Sequence, residues 1–153
     1  MNHGGRAPRS KTVATWLAFL GGGLGLHRFY VHGWRDAWGW LLIAPTLAGI
    51  WGALRMRMLG QDDVLAWLLV PWLGLTLAAT MLEAVVYGLT PRERWLARHD
   101  PDGRTRPWPW LDVIGAIGAA AVGAVVLIAT IAFVAQRSFE WQAARAGSAP
   151  ARR

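Results

Sequence analysis

Three side chains hold most of the chemistry this sequence can offer. Glu83 lies inside an apolar run from Val64 to Leu89, while His27 and Arg28 are neighbours at the end of a run from Val13 to Leu26. A carboxylate in a membrane helix costs at least about 2.5 kcal/mol unless it faces a partner or a wet cavity. Arg28 is the nearest counter-charge and His27 the second, so Glu83 is expected to pair with one of them. Such a pair serves either as a clasp between two helices or as a proton relay or cation site. The clasp is the expectation. Thr76, Thr80, Glu83 and Tyr87 follow i, i+4, i+7, i+11 spacing, a single polar stripe on an apolar helix. Each threonine hydroxyl can bond a carbonyl one turn back. Away from Glu83 the stripe runs out into Trp72, Leu69 and Leu65, which argues against a channel through one protomer.

Other chemistry lacks its residues. There is no cysteine, which removes disulfides, thiol nucleophiles and cysteine-held metals. The serines, Ser10, Ser138 and Ser148, fall in terminal segments and leave no placed nucleophile. His27 and His32 are five apart across a helix end, and His3 and His99 lie in polar segments. No enzyme, no cofactor and no metal site is expected.

The elements that must position Glu83 are membrane helices. Of the 153 residues, 54% are hydrophobic and gathered in long blocks, which indicates spans instead of a soluble core. The net charge of +7 sits on arginines that flank those blocks, where lipid phosphates are the partner and nucleic acid is not. The run from Val13 ends in His27-Arg28-Phe29-Tyr30 without a small-x-small site, so it reads as an uncleaved helix.

The fold expected is an all-α polytopic transmembrane bundle of about four transmembrane helices plus a short interfacial helix. Residues 1–10 form a flexible basic tail and 11–89 a three-helix membrane domain, with spans at about 12–29, 37–54 and 64–89. Gly21 and Gly25 share a face of the first helix. Pro45 and Pro71 interrupt the second and third, and Asp62-Asp63 cap the third. Residues 90–109 are an arginine-rich interfacial loop. There Thr90-Pro91-Arg92-Glu93 reads as an N-cap, a first-turn proline and a capping-box glutamate, opening a short helix through about Arg98. Trp95 and Leu96 are expected in the headgroup boundary.

The fourth span covers 110–135, with Gly115, Ala119 and Gly123 as a small-residue packing stripe. Asp112 rests in its first turn, where the helix dipole tolerates it. Residues 136–153 are a basic C-terminal tail. Four full crossings put both termini on one side. That side holds nine Lys and Arg against seven, which favours both termini in the cytoplasm.

The opening of the chain resembles a known family. Lys11-Thr-Val-Ala14, Phe19-Leu20-Gly21, Gly25-Leu26-His27-Arg28-Phe29-Tyr30 and Gly33 resemble the TM-two domain family, a small membrane hairpin domain. One extra residue separates Tyr30 from Gly33, and a longer path precedes Glu83, which aligns with the acid in the family's second span. The resemblance covers residues 11–89. It implies an integral membrane protein with His27-Arg28-Phe29 as the shared element and a signalling or scaffolding role. The function expected is therefore a small structural or interaction module in a bacterial cytoplasmic membrane. Its partners are the lipid bilayer and either itself or another membrane protein, through the small-residue faces. The alternative is a small transporter or ion- or proton-coupled accessory subunit using Glu83 with His27 and Arg28.

Overall fold

The structure, a computed structural model, describes residues 8–147. The tail segments 1–7 and 148–153, with His3 and Ser148, lie outside the described residues. Among the described residues all regular structure is helical: α1 (Lys11–Gly21), a 3-10 turn (Gly22–Leu24), α2 (Leu26–His32), α3 (Ala37–Leu59), α4 (Val64–Leu89), α5 (Arg92–His99) and α6 (Pro109–Gly147). Three of these, α3, α4 and α6, are long and apolar enough to cross a membrane, one fewer than the four expected.

The difference lies in the first apolar segment. A continuous helix over 12–29 does not form. Its run of glycines ends α1 at Gly21, passes through the 3-10 turn, and reverses at Gly25, whose φ of +69° is left-handed. A glycine there carries no Cβ penalty, and a Cβ would stand 2.5 Å from the carbonyl oxygen of Gly39. The Gly25 amide bonds the Gly22 carbonyl at 2.8 Å, and the Gly25 carbonyl accepts from the amides of Arg28 and Phe29 to start α2. The chain then returns the way it came. The Ser10 amide donates to the Tyr30 hydroxyl at 2.9 Å, and Ala14 and Val31 pack in one cluster with Trp95. Gly21 and Gly25 therefore share no helix face.

The segment from Lys11 to His32 is a helical hairpin that turns back on itself. At 1.5 Å per residue, α1 is about 16 Å long, half of a roughly 30 Å hydrocarbon layer. Irregular backbone at that depth survives only where protein buries it and satisfies its polar groups. Both conditions hold. Gly22 and Gly23 are buried, Thr46 Oγ1 donates to the Gly23 carbonyl at 2.7 Å, and a Cβ on Gly22 would meet the Thr80 side chain.

The near end of the bundle gathers Ser10, Tyr30, the α4 terminus, α5 and the start of α6. The far end holds the α3–α4 turn and the last turns of α6. The two ends of the described chain therefore lie at opposite ends of the bundle, not at one. Between them α4 is central, packing on α3, α1 and α6. Ala18, Met81, Ala84 and Ala119 form the tightest layer. Gly115, Ala119 and Gly123 are buried inside the protomer: a Cβ on Gly115 would lie 3.0 Å from Thr15, and one on Gly123 2.7 Å from Met81. This stripe packs α6 on α1 and α4.

Other boundaries moved for local reasons. Helix α3 runs on to Leu59, and Arg55 at its end pairs with Asp63 at 2.7 Å. The Asp63 carboxylate also accepts from the Leu65 amide, as capping requires. Helix α6 does not fray at Gln136. Gln136 and Arg137 both bond Glu140, at 3.0 and 2.7 Å, and Arg137 reaches the Gln61 carbonyl, so the helix continues to Gly147. The capping box before α5 does not form. Thr90 Oγ1 bonds back to Val86, and Pro91 occupies the cap position without a side-chain bond. Trp95 is buried against the protein. Its Nε1 donates to the Arg9 carbonyl at 2.8 Å, and its ring stacks on His99 at 4.4 Å.

Candidate functional site: the Glu83 cluster

Gly25 fixes where α2 begins, so His27 and Arg28 fall in its first turn, directly facing α4. Glu83 lies six residues before the end of α4, about 9 Å in from the near end. Both neighbours reach its carboxylate, one to each oxygen. Arg28 donates from Nη2 and Nε to Oε1 at 2.6 and 3.2 Å, and His27 Nε2 is hydrogen-bonded to Oε2. Both guanidinium bonds fall on one oxygen, a charge-assisted contact. His27 is fully buried, Arg28 and Glu83 partly so.

The His27 ring has a second nitrogen, Nδ1, which is buried and has no hydrogen-bond partner among the described residues. With its proton on Nε2, a neutral ring donates to the carboxylate and leaves Nδ1 as a bare acceptor. Tyr87, one turn after Glu83, packs its ring 5.9 Å from that of His27.

Asp36 joins the cluster without having been singled out from sequence. It holds the position before α3, accepts from Arg28 Nη1 at 3.4 Å, and lies 3.9 Å from His32. The available signal was its place as a helix-cap acid eight residues after Arg28. Arg28 thus bridges acids on α4 and at the start of α3, which ties three elements at one point.

The rest of the motif has packing roles. Phe29 lies on Gly39, where a Cβ would sit 2.6 Å from its ring, and it stacks on Trp34 at 5.1 Å and against Trp40 at 5.3 Å. Tyr30 receives the Ser10 amide. Gly33 ends α2 with φ +91°. Thr76 and Thr80 return their hydroxyls to Trp72 and Leu77 of their own helix, at 2.7 and 2.9 Å. Farther along α4, Leu73 and Leu69 close on Gly49 and Gly52 of α3, an apolar seam. Among the described residues no three His, Asp or Glu converge as metal ligands.

A second buried acid lies at the near end. Asp112 Oδ2 pairs with Lys11 Nζ at 3.3 Å and joins the first turns of α6 and α1, a contact beyond the dipole effect expected of it. In the loop after α5, Asp100 accepts from the Thr105 hydroxyl at 2.6 Å and from the amides of Thr105 and Arg104. These bonds, led by the Thr105 hydroxyl, hold its carboxyl below the usual range.

Residues 7–54 match the model of the TM2 domain, about a third of the chain, and the chain carries that domain there. The matched segment contains the α1–α2 hairpin and most of α3. It stops before Glu83, so the alignment of Glu83 with the family's acid rests on the sequence resemblance alone. Neither a curated protein nor a solved structure matches the chain. With three helices fit to cross a bilayer, the TM2 domain marks a membrane protein.

Proposed function

We propose that this TM2-domain chain is a small structural and interaction module of the bacterial cytoplasmic membrane, with no catalytic role. Its hairpin enters the bilayer to mid-depth and is locked there, beside three full crossings. The observation that carries the reading is the Glu83 carboxylate, which takes Arg28 on one oxygen and His27 on the other. Arg28 and His27 are both turned onto Glu83 to hold the hairpin, and the far half of the α3–α4 contact is apolar.

Orientation follows from the hairpin. Among described residues, Arg9, Lys11, Arg28, Arg35, Arg92, Arg94, Arg98, Arg104 and Arg106 lie toward the near end, against Arg55, Arg57, Arg137 and Arg145 toward the far end. By the positive-inside rule the near end faces the cytoplasm. Because the Gly115–Gly123 stripe is used within the protomer, association with a second copy or another membrane protein falls to the outer faces. A groove between α4 and α6 offers small side chains at Ala78, Ala79, Ala120 and Ala124, between larger apolar ones such as Leu75, Leu82 and Leu127, with Gly123 at its floor.

The competing reading, a proton- or ion-coupled subunit, takes its support from the same His27–Glu83 pair. Glu83→Gln separates the two. A clasp loses stability in detergent, whereas a relay loses proton or cation flux in proteoliposomes with its fold kept. Flux in the wild type that disappears in a fully stable variant would overturn the structural reading.

A further inference from the structure

At the near end a cavity of about 80 Å³ lies between the starts of α1 and α6 and the α5 loop, lined by Lys11, Thr12, Arg92, Arg106 and Asp112 among others. Arg92 and Arg106 are exposed and have no carboxylate partner among the described residues. Asp112 is more than nine-tenths buried, spends Oδ2 on Lys11, and leaves Oδ1 without a partner among those residues. Thr12 also opens a second depression of about 360 Å³. That groove is almost wholly apolar and runs along α1 past Val13, Trp16 and Leu17 to Leu20 and Gly21. It spans the length of α1, about 16 Å, which is the depth of one leaflet.

We propose that these two depressions are one phospholipid site, with an anionic phosphate on Arg92 and Arg106 and one acyl chain along α1. The charges select the headgroup. Lys11, Arg92 and Arg106 against Asp112 leave an excess of two positive charges, which suits an anionic phosphate and opposes a further cation such as choline or ethanolamine. A hydroxyl-bearing headgroup such as phosphoglycerol also brings donors to the acid-lined cavity, where Asp112 has an acceptor to spare. The groove accounts for the exposed apolar face of the hairpin, and the lipid would brace α1 on the side that α4 and α6 leave open.

The test uses the full chain in mild detergent after delipidation, with thermal unfolding and native mass spectrometry as readouts. Phosphatidylglycerol, phosphatidylcholine and inorganic phosphate are added in separate arms. The expected result is stabilisation and retention by phosphatidylglycerol well above phosphatidylcholine, with little effect of inorganic phosphate. The double variant R92Q/R106Q should bind phosphatidylglycerol about 25-fold more weakly, roughly fivefold per arginine, while its lipid-free unfolding stays near that of wild type. Val13→Trp, which fills the groove and leaves the arginines in place, should weaken the lipid and not inorganic phosphate. Equal effects of the two lipids, or an unchanged preference in R92Q/R106Q, overturn the site. Equal stabilisation by inorganic phosphate and phosphatidylglycerol overturns the lipid in favour of a free anion. Should Val13→Trp not fold, the arginine pair and the lipid comparison still decide.

Discussion

Replacing Glu83 by Gln removes one charge and keeps the side-chain shape, so it measures what the charge does for the hairpin. In the wild type Oε1 takes two guanidinium N–H groups at 2.6 and 3.2 Å, and Oε2 takes the ring of a fully buried histidine. Removing one partner of a buried ion pair costs about 3–5 kcal/mol. Three features reduce that figure here. The Glu83 side chain is 31% exposed, Arg28 retains Asp36 at 3.4 Å, and the amide oxygen of Gln can still accept one bond. A loss of about 2–3 kcal/mol is expected. For a chain of this size that lowers Tm by about 4–12 °C. Tryptophan fluorescence during thermal unfolding in detergent reads it directly. The pairing itself is read by a double-mutant cycle with Arg28→Gln, which should show a coupling of about 1 kcal/mol or more. An unfolding curve for Glu83→Gln that superimposes on wild type would remove the lock from the hairpin.

Gly25→Ala must place a Cβ 2.5 Å from the Gly39 carbonyl oxygen at a left-handed φ, whereas Gly33→Ala has the φ without a neighbour. Denaturation should show a cost of about 1–2 kcal/mol for Gly33→Ala and at least about twice that for Gly25→Ala. Gly123→Val forces α6 away from Met81, so unfolding should come earlier by about 1–3 kcal/mol, with no change of oligomeric state by light scattering. Reporter tags at the N-terminus and at Gly103 should report the same side of the membrane and a C-terminal tag the other; agreement of the two termini would restore a fully crossing first helix. The Asp100 carboxyl is held low in the folded state, so its bonds are complete above the ordinary carboxylate range and lost as pH falls below it. The protection factors of the Arg104 and Thr105 amides, exchange rates taken relative to the intrinsic rate at each pH, should therefore fall only on acidification, and Asp100→Asn should remove that pH dependence.

Hydropathy alone located the three long apolar helices, α4 to the residue, and exposed the need of Glu83 for a cationic partner. Those features are local: hydropathy runs, a cap at Asp63, and a charge that hydrocarbon will not tolerate alone. The sequence also marked the small residues of α6 as a packing face. Which surface that face meets was decided by the fold, because Gly123 against Met81 and Gly115 against Thr15 are contacts between distant segments. The path of residues 11–32 was decided the same way. Four glycines between Gly21 and Gly25 are compatible with a weak straight helix or with a reversal. The reversal holds because Thr46 satisfies the Gly23 carbonyl, Thr80 and Gly39 leave room for backbone, and Arg28 finds two acids at once. Each of those partners comes from α3, α4 or the turn before α3. Only a packed bundle presents them together, and inside a membrane an unsatisfied turn could not otherwise persist.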